Sequence, residues 1–302
     1  MKIIYFLVFM SLLFNFSRTY GQKTIPLYKG SIPNSKPHSN QEKSIMDNGR
    51  LIISKISLPE LTLFTPEKKK NNHTAILICP GGGYWVEAAG HEGAEVARSF
   101  TELGYTTFLL KYRIPDDSTM VNKEIGPLQD AQRGIQFIRE NASKFKVHKN
   151  RIGILGFSAG GHLASTAGTH YKMNYIENPK NTSLRPDFMI LIYPVISFTD
   201  SIGHMGSRTQ LLGKNPDPEK ILEYSNEFHV DAETPPTYLV MAKDDPINSK
   251  NATVFYSALK DHGVESQMYL FEKGGHGFGL SNKTSEVKWI NLVDPWIGKL
   301  PL

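Results

Sequence analysis

The pattern Gly156-Phe157-Ser158-Ala159-Gly160 sets a hydroxyl between two glycines. An apolar, β-prone run from Arg151 precedes it, and a helix-compatible run follows. That order suits a nucleophile elbow, a tight strand-to-helix turn that leaves the serine oxygen exposed. Gly156 and Gly160 remove the side chains that would block the turn. The N–H of Ala159 would face an oxyanion formed beside Ser158, at the positive end of the new helix. The plainer alternative is an ordinary glycine-punctuated turn; the flanking strand and helix favour the elbow.

A serine hydroxyl is a weak nucleophile until a base takes its proton. The base is usually a histidine oriented by a carboxylate. With an elbow, the chain order should be serine, acid, histidine. His276, in Gly274-Gly275-His276-Gly277-Phe278-Gly279, has the best context among the histidines after Ser158. A glycine-rich loop after a strand can carry its ring across the strand ends. His162 lies one helical turn past the serine and reads as a packing or hydrogen-bonding residue. The acid should follow the strand Tyr238 to Ala242, where Asp244 and Asp245 are adjacent. Neighbours in sequence cannot normally both face the histidine. Asp244, the first after the strand, is the expected orienter, Asp245 the alternative, and Asp200 a third choice.

The second oxyanion donor should come from an earlier strand-to-helix loop, and Cys79-Pro80-Gly81-Gly82-Gly83-Tyr84-Trp85 fits. Gly82 and Gly83 are the expected donors, because bare backbone can approach a substrate oxygen closely. The loop lacks the Gly-Lys-Ser/Thr ending of a P-loop and the Gly-x-Gly-x-x-Gly spacing of a dinucleotide site. Tyr84, Trp85 and Tyr193 are either substrate-binding aromatics or core residues. Asp116-Asp117, Glu87, Glu92 and Glu95 read as solvent-facing charge. No metal site is expected: histidines are dispersed and Cys79 is the only cysteine.

These side chains need a scaffold. Strand candidates are Leu51 to Ser57, Leu61 to Phe64 and Thr74 to Cys79, joined through short turns and so expected to start antiparallel. Helix-like segments then alternate with strands. Helices are expected over His91 to Leu103, Pro127 to Phe145, Ala159 to His170, Ser249 to His262 and Thr284 to Ile297. Strands are expected over Tyr105 to Tyr112, Arg151 to Phe157, Phe188 to Tyr193, Tyr238 to Ala242 and Gln267 to Phe271. The alternation implies an α/β fold with a mostly parallel central sheet flanked by helices. Residues 197–236 break it with a polar, proline-bearing stretch. They are expected to form a small helical insertion over the carboxyl edge of the sheet, where ligands bind in such folds.

The chain has 302 residues. Met1-Lys2, an apolar run from Ile3 to Phe16, and small residues near Gly21 read as a signal peptide over residues 1–21. The run is shorter than the roughly 20 residues of a membrane span, so no stable membrane anchor is expected, and the protein is read as secreted or periplasmic. Residues 22–48 read as an extended lead-in, and 49–302 as one catalytic domain. Net charge is +5, with the basic residues scattered. That pattern does not suggest a nucleic-acid partner, and Lys68-Lys69-Lys70 reads as a solvated tip.

Taken together, Pro80-Gly81-Gly82-Gly83-Tyr84, Gly156 to His162, Asp244-Asp245 and Gly275-His276-Gly277-Phe278 resemble the α/β-hydrolase esterases. The nearest group is the secreted bacterial branch of acetyl xylan esterases and related feruloyl esterases. Lys111-Tyr112-Arg113 and Pro127-Leu128-Gln129-Asp130-Ala131-Gln132-Arg133 are similar to that branch too. Pro80 stands where hormone-sensitive-lipase relatives often carry a histidine, which sets the chain apart from plain lipases. The resemblance implies the α/β-hydrolase fold and a triad of Ser158, Asp244 and His276. It implies no cofactor, and a substrate that is an acetylated, or hydroxycinnamoylated, plant or algal polysaccharide such as xylan. A serine peptidase, a general short-chain esterase and a non-catalytic glycan-binding protein on the same fold remain the alternatives.

Overall fold

The computed structural model describes residues 23–302; the expected leader lies outside them. The central sheet has eight strands: β1 (Lys23–Pro26), β4 (Glu60–Phe64), β5 (Ala75–Cys79), β7 (Thr106–Lys111), β8 (Ile152–Phe157), β9 (Phe188–Ile192), β10 (Thr237–Ala242) and β11 (Ser266–Phe271). Their spatial order is β1-β4-β7-β5-β8-β9-β10-β11. β1 and β4 run antiparallel at one edge, and every pair from β7 to β11 is parallel. Strands covered on both faces must be apolar throughout. Accordingly Ala75–Cys79 and Phe188–Ile192 are buried at every position.

The amino-terminal region departs from the expected pairing. β3 (Arg50–Ser54) does not join the strand that follows it. It pairs with β2 (Lys43–Asp47) and β6 (Val86–Glu87) in a separate three-stranded sheet. β4 and β5 are not neighbours either, since β7 lies between them. The lysine-rich connection is therefore a crossover. The lead-in contributes β1 and β2, and its Pro33 carbonyl accepts from Arg113 Nη1 at 2.7 Å.

Helices α1 (Glu95–Glu102), α2 (Gly126–Glu140), α3 (Ala142–Phe145), α4 (Ser158–Thr169), α7 (Lys250–Asp261) and α8 (Ile290–Lys299) flank the sheet. α8 starts six residues later than the pattern suggested; the indole of Trp289, just before it, is buried against Phe100 of α1 and Phe157 of β8. Residues 197–236 carry α5 (Met205–Leu212), α6 (Pro218–Glu223) and a 3₁₀ turn at Asn226–His229. The two segments that resemble the esterase branch are locked together by a buried ion pair. Arg113 Nη2 sits 2.8 Å from Asp130 Oδ1, and Tyr28 donates to the same carboxylate. This pair fixes the carboxyl end of β7 against α2.

Candidate active site

β8 delivers the chain into a turn in which Ser158 adopts φ +49° and becomes the first residue of α4. That left-handed conformation is strained for a non-glycine residue and is held only by its surroundings. Gly160 shows one source of that constraint: a Cβ there would stand 2.2 Å from the Cys79 carbonyl oxygen and 2.3 Å from that of Pro80. Only a bare backbone lets α4 close onto the end of β5.

Ser158 Oγ lies 2.8 Å from His276 Nε2, and His276 Nδ1 lies 2.8 Å from Asp245 Oδ2. The carboxylate accepts the Nδ1 proton, which leaves Nε2 free to accept from the serine hydroxyl. The far-separated serine and histidine thus meet as expected. The acid is Asp245, not Asp244. Lys243 N–H still bonds the Phe271 carbonyl, so the β10–β11 ladder runs one residue past β10 and the turn starts later. Asp245 then points inward with a fully buried carboxylate, and its Oδ1 accepts from Ile247 N–H at 2.7 Å. Asp244 is exposed and accepts from Gly275 N–H at 2.8 Å, so it anchors the loop that carries the histidine. Asp200 is exposed and paired with Arg208.

The glycine loop lies directly against the elbow: a Cβ on Gly81 would be 2.9 Å from Ser158 Cβ. The Gly82 carbonyl accepts from both Trp85 and Val86 N–H, curling the loop tightly at φ +132°. A Cβ on Gly82 would meet the Val86 carbonyl oxygen at 2.1 Å. The loop's own turn bonds do not use the N–H groups of Gly82 and Gly83. Ala159, in the first turn of α4, has no carbonyl four residues back within the helix for its N–H. Ala159 is thus next to the serine with an unused N–H, and Gly82 and Gly83 continue the loop whose Gly81 packs against it.

Of the three expected substrate aromatics, two are buried. Tyr84 is in the core, its hydroxyl 2.9 Å from His162 Nδ1. His162 Nε2 in turn donates to the Tyr224 carbonyl, and burial pushes the His162 pKa down to about 4. Tyr193 is fully buried; its ring packs edge-on against His276, with centroids 4.8 Å apart. Both have positive φ; Tyr193 directly follows β9, and Tyr84 lies in the glycine loop after β5. Trp85 alone faces solvent.

Two acids expected in solvent are buried. Glu87 accepts from Tyr112 N–H. Glu92, in a π-helical turn at Ala89–Ala94, accepts from Gly81 N–H through Oε2 and from Tyr193 O–H through Oε1, both at 2.8 Å. Burial pushes its pKa up, against the opposing pull of those two donors. The Tyr193 hydroxyl oxygen also accepts from Gly279 N–H, and the Gly279 carbonyl accepts from Trp289 Nε1. Through Tyr193, Glu92 thereby ties the glycine loop to the Gly279 end of the loop that holds His276, while Asp244 holds the Gly275 end. The insertion reaches this site as well: His204, which caps α5, has its pKa lowered first by burial and then by the proximity of His276.

A hydroxyl, imidazole and carboxylate in series, on the carboxyl edge of a largely parallel sheet with a serine elbow, define an α/β-hydrolase. The BD-FAE family model matches residues 61–259, and the chain belongs to that family. It is 34% identical over 227 residues to an acetylxylan esterase of Xylanibacter ruminicola, covering 73% of this chain and 44% of that protein. It is 35% identical over 210 residues to endo-1,4-beta-xylanase B of Butyrivibrio fibrisolvens, covering 68% of this chain and 33% of that protein. The chain thus spans less than half the length of these two relatives. The crystal structure of an acetyl ester-xyloside bifunctional hydrolase from Caldicellulosiruptor lactoaceticus superposes with a TM-score of 0.78. The two are 35% identical over 91% of this chain and 95% of that one. The resemblance to the acetyl xylan and feruloyl esterase branch is borne out.

Proposed function

We propose that this protein is a serine carboxylesterase that removes acetyl groups from xylan-type polysaccharide. The observation that carries the reading is the series Ser158–His276–Asp245, with the glycine loop packed against the elbow. Ser158 Oγ attacks the ester carbonyl while His276 Nε2 takes its proton. The N–H groups of Gly82, Gly83 and Ala159 hold the developing oxyanion. His276 returns the proton to the leaving sugar hydroxyl, which leaves acetyl on Ser158. Water then attacks that acyl group with His276 again as base, releasing acetate and restoring the hydroxyl. Asp245 keeps the imidazole in the tautomer that both halves require.

The likeness to relatives named for acetylxylan and acetyl-xyloside ester hydrolysis supports xylan as the polysaccharide. Hydroxycinnamoyl esters present the same carbonyl on the same sugars and form the second substrate class of this reading. Export through the leader at residues 1–21 belongs to it too, and amino-terminal sequencing of the mature protein checks that. The direct test is acetate and ferulate release from native acetylated xylan, with Ser158→Ala as control. Acetate release abolished by that substitution supports the assignment. Parent enzyme that cleaves only small aryl acetates and releases nothing from xylan overturns the polysaccharide reading.

A further inference from the structure

Beside the glycine loop lies a cleft of about 360 Å³, within the range typical of small-molecule sites. Its position follows from strand order. β8, β5 and β7 are consecutive in the sheet, so the loops at their carboxyl ends line up along one edge. Ser158 follows β8, Trp85 is carried by the loop after β5, and Ile114 to Thr119 follow β7. The cleft therefore leads away from the serine across the next two strand ends, which at about 4.8 Å per strand spans roughly 10 Å.

Its lining has a particular chemistry. The indole of Trp85 is 58% exposed, whereas the other two tryptophans, Trp289 and Trp296, are buried. Trp85 leans on the glycine loop: a Cβ on Gly83 would be 3.2 Å from its Cδ1. Ile56 and Ile114 supply apolar floor. Ser57 is 2% exposed, and its Oγ has no hydrogen-bond partner among the described residues. A buried hydroxyl without a partner is costly, and Ser57 is among the residues that line the cleft. Gln210 reaches in from α5 with its Nε2 donating to the Pro115 carbonyl. The two charges at the rim, Lys55 and Asp116, are occupied by Gln41 and by Ser118 N–H.

We propose that this cleft is a glycan subsite that binds the neutral pyranose units flanking the acylated sugar. A flat apolar ring face stacks on the Trp85 indole, and ring hydroxyls meet Ser57 Oγ and the polar rim. No cluster of cations lines it, so a phosphorylated or acidic ligand finds no counter-charge. The inference rests on the polysaccharide reading above and gives it a place for the main chain.

The test is titration of unacetylated linear xylo-oligosaccharide into the full-length Ser158→Ala protein, followed by tryptophan emission and calorimetry. Binding shifts the emission of the one exposed indole to shorter wavelength. Trp85→Ala weakens binding about tenfold, Trp85→Phe keeps most of it because a ring remains, and Ser57→Ala weakens it several-fold. These substitutions lie in a surface cleft, and an unchanged unfolding midpoint shows that the fold is intact. Affinity and emission that do not depend on Trp85 overturn the proposal. So does a Trp85→Ala effect on methyl ferulate hydrolysis without one on oligosaccharide binding, which makes the cleft an acyl pocket. Acetate release from xylan with no oligosaccharide binding sinks the subsite alone. Trp85-dependent binding with no acetate release sinks the esterase reading and leaves the subsite standing.

Discussion

The adjacent acids Asp244 and Asp245 make opposite predictions, and their comparison isolates one step of the chemistry. Asp245 accepts the His276 Nδ1 proton with a carboxylate fully removed from solvent. Asparagine there keeps the shape but can turn an N–H₂ donor toward Nδ1. The imidazole then adopts the other tautomer, and Nε2 carries a proton instead of a lone pair. The loss for such an exchange is about 10⁴-fold in kcat, or roughly 5.5 kcal/mol of transition-state stabilisation. Asp244→Asn, in contrast, preserves an oxygen that can accept from Gly275 N–H at an exposed position. At most one hydrogen bond of about 1 kcal/mol is weakened, so kcat falls less than about tenfold. Steady-state hydrolysis of p-nitrophenyl acetate by both variants, with far-UV spectra to confirm folding, reads this out. A large loss at position 244 with little at 245 refutes the assignment of the orienting acid.

Three further outcomes follow from the same geometry. Glu92→Gln leaves one oxygen where two accept, orphaning the Gly81 N–H or the Tyr193 O–H; kcat drops about ten- to a hundredfold with little change in KM, whereas an unchanged kcat means that the link is only packing. Arg113→Ala strands the buried Asp130 carboxylate and lowers unfolding free energy by about 3–5 kcal/mol in urea titration. Burial holds the His162 pKa near 4, below the ordinary value of 6.5. The unfolded chain therefore binds the extra proton between those values, and this contribution is present above pH 6.5 and lost as pH falls toward 4. In His162→Gln the acid-side loss of stability shrinks by up to about 3 kcal/mol; the raised pKa of buried Glu92, which works the opposite way, is common to both proteins.

Much of this architecture is legible in the chain because it is local. The glycine spacing around Ser158, the continuous apolar runs of β5 and β9, and the loop around His276 each carry their reason within about ten residues. What the chain hides depends on distant partners. Asp244 and Asp245 cannot be told apart by order alone, since the choice rests on the Lys243 to Phe271 bond to a neighbouring strand. Glu87 and Glu92 look like surface charge because their compensating donors, Tyr112 N–H, Gly81 N–H and Tyr193 O–H, come from other elements. Tyr84 and Tyr193 look like ligand contacts because they lie in loops after strands, yet each is buried with its hydroxyl bonded to a distant partner, His162 or Glu92. β4 and β5 look like a hairpin, and only the insertion of β7 between them shows otherwise.

In the proposed reaction the acetyl group passes through the oxygen of residue 158. Acid quenching during turnover of an aryl acetate, followed by peptide mass mapping, tests it directly. An acetyl adduct is expected on the peptide that spans Gly156 to Gly160, and none in the Ser158→Ala protein. Full turnover by Ser158→Ala, or an adduct confined to another residue, contradicts that route.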